Sequence, residues 1–346
     1  MNHGAREPSG TRKMLDGIHS ALLIHNPRAG RSGPKRAHHL EEARRIFAAA
    51  GVETELCLTS TPGEATWLAR RAARQGRDLV IVCGGDGTMN EALNGIVAEP
   101  CGRQIPLALL PGGTANVLAK ELGLPRDIPA AAEILSRGTL VELALGLAMP
   151  LEDPAVQRYF LCVAGAGPDG MMVYSVKPEA KSKAGILAYW WEGFRQLFRY
   201  RFPRFRVITA EHSLDATLVV VGRTKHYGGP FCITTRADLF EDGFELAAIT
   251  TRSALRYLSY MPKLWRGKLR AERGVFFWKS DLVRCEALGS ERVYAQVDGE
   301  PLGRLPVEFR IVPNALRLLV PAEFAQRNVR PEATREKRAP QVMEVT

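Results

Sequence analysis

The sequence lacks the patterns that mark secreted, zinc-binding or membrane-spanning proteins. Its six cysteines include no Cys-x-x-Cys pair, which argues against a disulfide framework or a zinc site and indicates reduced thiols of a cytoplasmic protein. No apolar run approaches the roughly 18 residues of a membrane span. The polar start, MNHGAREPSG, has no apolar segment of a secretory signal.

Acidic residues are in deficit, with 37 Asp and Glu against 47 Lys and Arg, so the net charge is +10. This balance favours anionic partners such as nucleotides, nucleic acid or an acidic membrane surface. A chain of 346 residues that is 46% hydrophobic can bury the cores of about two domains.

The first half of the chain alternates strand and helix patterns. The runs DLVIVCGG (78–85) and PLALLPGG (106–113) are nearly all apolar, as parallel strands covered on both faces are. Helical spacing of apolar residues follows each of the first strands. These patterns predict a doubly wound, Rossmann-like α/β domain.

The second half reads mainly as short strands joined by turns, with one helix at about 183–200, and predicts an antiparallel β-sandwich. We therefore expect a disordered arm at 1–18, a nucleotide-binding α/β domain at 19–147, a β-rich substrate domain at 148–313, a return strand to the first domain at 314–325, and a disordered tail at 326–346.

One strand ends in a glycine-rich turn, VIVCGGDGTMNEALNG (80–95). Gly84, Gly85 and Gly87 carry no side chains, so backbone N–H groups at the following helix could bind a phosphate. Thr88 and Glu91 have the spacing of a capping box. Asp86 would repel a phosphate unless a divalent cation lay between them, which suggests Mg²⁺. A plain strand-to-helix turn is the alternative, and no Walker A motif is present.

Two further strands end in similar turns, NPRAG (26–30) and PGGTAN (111–116). The carboxyl ends of parallel strands meet at one edge of a sheet, where ligands bind in open α/β folds. Three such turns therefore predict one shared site.

In this order, NPRAG, GGDGT with MNE, and PGGTAN resemble the diacylglycerol kinase catalytic-domain family, which includes bacterial soluble lipid kinases, sphingosine kinases and ceramide kinases. The second half is similar as well, in AGAGPDGMM (164–172), KSKAGILAYW (181–190), GGP (228–230), ADLFEDGFEL (237–246) and VDGE (297–300). The resemblance implies an NAD kinase-like first domain, a sandwich domain, and an active site in the cleft between them.

The resemblance implies an ATP-dependent lipid kinase that uses Mg²⁺. ATP would contact residues of the three turns and one neighbouring strand, namely Asn26, Pro27, Gly30, Thr59, Gly84, Gly85, Asp86, Gly87, Thr88, Asn90, Glu91, Gly113, Thr114 and Asn116. An acidic cluster of Asp86, Asp169 and Glu300 would hold Mg²⁺.

Asp298 would be the general base that takes the proton of the lipid hydroxyl, although Asp298-Gly299 taken alone is an ordinary hairpin turn. A second, structural Mg²⁺ would bind Asp242 with main-chain oxygens of Leu239 and Phe244.

The segment GILAYWWEGFRQLFRYRFPRF (185–205) interleaves aromatic residues with arginines, which suits docking at an anionic bilayer. A helix packed on the core is the alternative, and no nucleic-acid module accompanies it. We expect a cytoplasmic protein, peripheral to the inner face of the membrane, with a lipid substrate and no nucleic acid partner; a homodimer is left open.

Two other functions stay open at this point. An NAD kinase would use the same glycine turn, although the VDGE turn and the aromatic-basic segment fit it less well. A non-catalytic lipid- or nucleotide-binding protein on a kinase scaffold is the other alternative, against which the intact Asp86 and Asp298 argue. Diacylglycerol, a sphingoid base, ceramide and a glycerophospholipid are all candidate lipids.

Overall fold

A computed structural model describes residue 15 and residues 17–30, 34–175, 200–228 and 231–328, without the side chains of Pro34 and Asn328. The motif KSKAGILAYW and most of the predicted membrane segment, up to residue 199, lie outside the described residues. So do the last two residues of GGP.

The N-terminal half forms the predicted α/β domain. Its parallel strands lie in the order β2-β1-β3-β4, and every residue of β3 and β4 is buried. The elements are β1 (Ser20–His25), α1 (Pro34–Ala49), β2 (Glu53–Leu58), α2 (Glu64–Arg74), β3 (Leu79–Gly84), α3 (Asp86–Val97), β4 (Leu107–Pro111), α4 (Val117–Glu121), α5 (Ile128–Ser136) and β5 (Thr139–Pro150).

The C-terminal half forms the predicted antiparallel sandwich. Its elements are β6 (Arg158–Phe160), β7 (Val163–Ala166), α6 (Pro168–Ser175), β8 (Phe205–Ile208), β9 (Ser213–Ala216), β10 (Leu218–Gly222), β11 (His226–Gly228), β12 (Phe231–Cys232), β13 (Phe244–Ile249), α7 (Ala254–Trp265), β14 (Val275–Ser280), β15 (Leu282–Ala287), β16 (Tyr294–Val297), β17 (Glu300–Arg304), β18 (Val307–Val320) and α8 (Ala322–Asn328).

Two sheets face each other across the sandwich core. One has the order β14-β13-β10-β7-β16-β17, and the other continues the sheet of the α/β domain through β18, β15, β8 and β9. Phe160 connects them, because its ring stacks on Phe244 of the first sheet and meets Phe309 of the second edge-on, at centroid distances of 5.7 Å and 6.3 Å.

Strand β18 joins the two halves of the molecule. It pairs with β15 and along most of its length with β5, and Leu318 pairs in parallel with Leu107 of β4. The strand begins at Val307, whereas the sequence pattern predicts a return strand only from residue 314. The register shifts before Leu316, where Asn314 has a left-handed φ of 49°, so a local bulge hides the continuity of the strand.

The C-terminal half has three described helices, α6, α7 and α8, besides the one predicted at about 183–200, which lies almost wholly outside the described residues. In α7 the hydroxyl of Ser253 accepts a bond from the Arg256 N–H at 3.5 Å, and Tyr257 and Tyr260 point into the core. The apolar run PFCITTRA (230–237) predicts a longer strand than the structure has, since its described part contributes only the two-residue strand β12. In the described parts of the chain, no helix is long and apolar enough to cross a membrane.

Candidate active site

The three glycine turns meet at the carboxyl ends of β1, β3 and β4, in backbone contact. A Cβ on Gly30, whose φ is +66°, would lie 2.5 Å from the carbonyl oxygen of Gly112, and a Cβ on Gly113 would lie 2.3 Å from the Cα of Gly85. Such distances leave no room for any side chain, so glycine is required at these positions for the turns to approach each other.

Polar side chains tie the turns together. Asn26 Nδ2 donates to Thr88 Oγ1 at 3.0 Å, and the Asn116 amide both accepts from the N–H and donates to the carbonyl of Gly113, each at 2.9 Å. Arg36 of α1 donates to the carbonyls of Ala29 at 2.7 Å and Gly112 at 2.6 Å. These side chains therefore shape the turns, which leaves backbone groups as the natural ligands for a phosphate.

The predicted capping box at Thr88 and Glu91 is wrong. Helix α3 begins at Asp86 after an extended Gly85, so Thr88 already lies within the first turn. Glu91 instead accepts a bond from the N–H of Gly63 at 3.0 Å. The helix therefore begins three residues earlier than a Thr88 cap would place it, with Gly85 as its N-cap.

The remaining predicted nucleotide contacts divide into two groups. Thr59 directly follows β2 and is buried, and Pro27 and the exposed Thr114 lie in the first and third turns. Asn90 points away from the turns towards the sandwich, where its Nδ2 donates to the Tyr159 carbonyl and to Asp298 Oδ2 at 2.9 Å and 3.0 Å. Asn90 is thus placed between the two domains.

Asp298 lies in the β16–β17 turn with a left-handed φ of 47°. Its carboxylate accepts four hydrogen bonds. Besides Asn90, the donors are the N–H groups of Leu161 (3.0 Å), Cys162 (3.0 Å) and Val163 (2.9 Å). These bonds hold the chain where it passes from β6 in one sheet to β7 in the other. Burial raises the pKa of Asp298, and the four bonds oppose this shift.

Asp86 and Glu300 lie beside Asp298 at the start of α3. Asp86 Oδ1 accepts from the N–H of Val117 at 2.7 Å, and Glu300 Oε1 lies over Gly87, 2.7 Å from where a Cβ would be. Burial raises the pKa of Asp86 to about 6, and the charge of Asp298 adds to this shift while the Val117 bond opposes it. Three carboxylates from two domains therefore gather around one helix end.

Asp169, in the first turn of α6, lies behind this group. Its carboxylate accepts from the Tyr227 hydroxyl and from Gln296 Nε2, the latter at 2.7 Å, and burial raises its pKa. Gln296 in turn accepts from the N–H of Gly299 at 2.8 Å. Asp169 therefore supports the turn that carries Asp298 and Glu300.

The carboxylates near α3 fit a Mg²⁺ ion that is bound mainly through phosphate. In the described residues no group of three or more His, Cys, Asp or Glu is arranged to hold a metal ion alone. Mg²⁺, however, usually takes one or two carboxylates and completes its shell with water and substrate phosphates. The pKa of Asp86 is raised in part by the charge of Asp298, and a bound cation would offset that repulsion.

The predicted structural Mg²⁺ site at Leu239, Asp242 and Phe244 shares its Leu239 carbonyl with a cation of the chain. The fully buried guanidinium of Arg223 donates to the carbonyls of Leu239 (2.7 Å), Glu241 (3.1 Å) and Gly243 (3.4 Å). Burial lowers the pKa of Arg223 to about 10, whereas the charge of Asp242 opposes the shift. A permanent cation of the chain thus already holds this loop.

Several residues of the site lie outside every motif recognised in the sequence, so the sequence alone did not predict their roles. They are Arg36, Tyr227 and Gln296, together with Lys120 and Glu121 of α4. Glu121 Oε2 lies 2.8 Å from His226 Nδ1 of β11 and accepts from the Lys225 N–H at 3.1 Å, which connects the two domains. Lys120 is half-buried; burial and Arg126 lower its pKa, and nearby Asp86 raises it.

Comparison with known proteins agrees with the motifs. Residues 20–148 match the family model described as diacylglycerol kinase catalytic domain. Residues 162–320 match a model described as YegS C-terminal NAD kinase beta sandwich-like domain. Together the two models span most of the described chain.

Curated relatives extend over nearly the same length. A diacylglycerol kinase of Bacillus subtilis (strain 168) is 30% identical over 315 residues, covering 88% of this chain and 98% of the relative. A diacylglycerol kinase of Staphylococcus aureus (strain bovine RF122 / ET3-1) is 30% identical over 297 residues, covering 84% and 88%.

A solved structure from Bacillus anthracis str. Sterne, described as a diacylglycerol kinase, has a TM-score of 0.66 at 21% identity and covers 88% of this chain and 97% of its own. That likeness supports the fold alone. Fold and site thus define a two-domain kinase of the Rossmann-plus-sandwich class. The chain belongs to the diacylglycerol kinase family, a family of lipid kinases.

Replacing Arg223 by methionine should destabilise the sandwich by about 3 kcal/mol or more, because it leaves buried carbonyls without their donor. Urea unfolding in EDTA would measure this, with Arg206→Met, which removes an exposed ion pair to Asp215, as a control that should cost less than about 1 kcal/mol. We expect added Mg²⁺ not to restore the variant. Restoration by Mg²⁺, or an unchanged free energy of unfolding, would contradict the role of Arg223.

The raised pKa of Asp86 makes stability depend on pH in the absence of nucleotide and metal. The pKa of Asp86 in the folded protein, about 6, exceeds the ordinary value of 3.8. The stabilising contribution of protonated Asp86 to the free energy of unfolding is therefore complete below about pH 4 and is lost as the pH rises through 6. Asp86→Asn should therefore be more stable than the wild type by up to about 3 kcal/mol near pH 8, and by little near pH 4. Unfolding titrations at both pH values test this, and a pH-independent difference would refute it.

Proposed function

We propose that the chain transfers the γ-phosphate of ATP to the hydroxyl group of diacylglycerol or a related lipid, with Mg²⁺. The observation that carries this proposal is the meeting of three glycine turns with Asp86, Asp298 and Glu300 at the start of α3. Phosphoryl transfer depends mainly on positioning and charge neutralisation, and this arrangement offers both. The curated relatives named diacylglycerol kinase support the lipid acceptor.

In this proposal the backbone N–H groups of the turns bind the phosphates of ATP. Asp86 and Glu300 would hold Mg²⁺, which would neutralise phosphate charge when bound. Lys120 adds a positive charge near Asp86. Asn26, Arg36 and Asn116 keep the turns in register through the bonds described above. Asp169 acts indirectly, since its carboxylate holds Gln296 and thereby the turn at Gly299.

The lipid hydroxyl oxygen attacks the γ-phosphorus, the bond to the bridging oxygen of ADP breaks, and the hydroxyl proton passes to a carboxylate. Asp298 is the proposed base, because burial raises its pKa and its turn meets α3 from the sandwich domain. Asp86 is the second candidate, because its carboxylate lies at the start of α3 within electrostatic range of Asp298.

A diacylglycerol substrate resides in a bilayer, so the proposed enzyme works at a membrane surface. The net charge of +10 favours an anionic surface, and six free cysteines are compatible with the cytoplasmic side. An NAD kinase is the alternative enzyme, since the sandwich matches a model whose description includes NAD kinase. A non-catalytic binding protein is the other alternative.

The test is Mg²⁺-dependent transfer of labelled γ-phosphate from ATP to a panel of lipids in mixed micelles. The panel includes diacylglycerol, a sphingoid base, ceramide and a glycerophospholipid, with NAD⁺ as a soluble competitor. Label in diacylglycerol is the expected result. Label only in NAD⁺ would support the alternative enzyme, and a folded protein that binds ATP without any product would support the non-catalytic alternative.

Asp298→Asn and Asp86→Asn should each lower kcat by about a hundredfold or more, whereas the exposed Asp153→Asn should not. The Asp298→Asn variant should also have a lower Tm, because its new amide nitrogen is a donor that would face the donor N–H groups around it. If Asp86 is the base, Asp86→Asn removes the acid limb of the kcat/KM profile near pH 6. Full activity in both variants would refute both assignments.

A further inference from the structure

Helix α7 and the residues that flank it form the most basic surface segment of the described chain. Residues 252–273 contain seven Lys and Arg and one Glu, a net charge of +6, against +10 for all 346 residues. The one acidic residue, Glu272, is paired with Lys263 at 2.6 Å. Six basic residues are exposed, namely Arg252, Arg256, Arg266, Lys268, Arg270 and Arg273.

The same surface exposes two large apolar side chains. Leu255 is 72% and Trp265 is 69% exposed, and they lie at opposite ends of α7, about 15 Å apart along its axis. The opposite face of the helix is anchored, because Tyr257 stacks on Phe202 at 4.7 Å and its hydroxyl lies 2.9 Å from Thr217 Oγ1. The exposed side chains are therefore not part of a core.

The basic end of α7 reaches towards the candidate active site. A Cβ on Gly267, just after the helix, would lie 3.5 Å from the Cβ of Cys232 in β12. Cys232 is in turn within electrostatic range of Glu121 and Lys120 of α4, which directly follows the third glycine turn. A bilayer that contacts α7 would thus lie next to the junction of the two domains.

We propose that the α7 surface, defined as Arg252, Leu255, Arg256, Trp265, Arg266 and Lys268, docks the protein on an anionic lipid bilayer. An interfacial site needs apolar and aromatic side chains that enter the headgroup region, edged by Lys and Arg that pair with anionic lipids. The α7 surface combines both features on one rigid helix. This inference rests on the proposed function, because it takes the surface to bring a lipid kinase to its substrate.

The test is co-sedimentation of the full chain with vesicles of phosphatidylcholine alone or mixed with phosphatidylglycerol. We expect binding only to the mixed vesicles, falling with added salt. Arg256→Glu with Arg266→Glu should weaken binding by at least about tenfold, since each basic residue near the surface contributes substantially. Trp265→Ser should weaken it by several-fold.

Matched controls lie in the α/β domain. Arg45→Glu with Arg137→Glu changes the net charge equally at exposed positions, and Trp67→Ser removes a tryptophan that is 56% exposed; neither should change vesicle binding. The proposal fails if the α7 variants bind vesicles as tightly as the wild type does. It also fails if the control variants lose as much vesicle binding as the α7 variants. Binding to RNA but not to vesicles, with the same dependence on α7, would also overturn it.

Kinase assays on soluble and on vesicle-borne diacylglycerol distinguish a failure of membrane docking from a failure of the proposed function. The α7 variants should phosphorylate a water-soluble, short-chain diacylglycerol as the wild type does, and lose activity only on diacylglycerol in anionic vesicles. If the wild type shows no kinase activity at all, the proposed function fails, while vesicle binding still decides the role of α7. Equal activity of variants and wild type on vesicles would overturn the docking proposal alone.

Discussion

The arrangement of the site depends on one partly buried carboxylate, that of Asp298. It belongs to a hairpin of the sandwich, yet its four donors are Asn90 on α3 of the first domain and three N–H groups where the chain passes from β6 into β7. A buried charge is tolerated only where it is this well bonded. The same bonds orient Asn90 and connect the two domains beside Asp86.

The glycine turns follow a related principle. Their side chains are absent where the backbones of Gly30, Gly85 and Gly113 meet, and the polar side chains around them bond mainly to the turns themselves. Asn116 and Asn26 therefore act as braces for the backbone, although the sequence suggests them as ligand contacts. A rigid cradle of N–H groups binds phosphate without reorganising, which is the physical advantage of such preorganisation.

Positive charge has two distinct uses in the sandwich. Arg223 is buried and satisfies three carbonyls of one loop, where the family resemblance suggests a metal ion. The arginines around α7 are exposed and lie among apolar side chains. The net charge of the sequence counts the buried Arg223 and the exposed arginines alike. Only their burial in the structure distinguishes a structural cation from a surface that an anionic partner can reach.

The sequence by itself determined the α/β alternation, the fully apolar strands β3 and β4, the glycine turns, the β-rich second half and the family, because each depends on neighbours close along the chain. It did not reveal helix α7, the start of α3 at Asp86, or the partners of the acidic residues. The bond from Asn90 to Asp298 spans 208 positions, and the Arg223 contacts cross a loop of the sandwich. Only the tertiary structure decided these, because burial and hydrogen bonding depend on distance in space and not on local pattern.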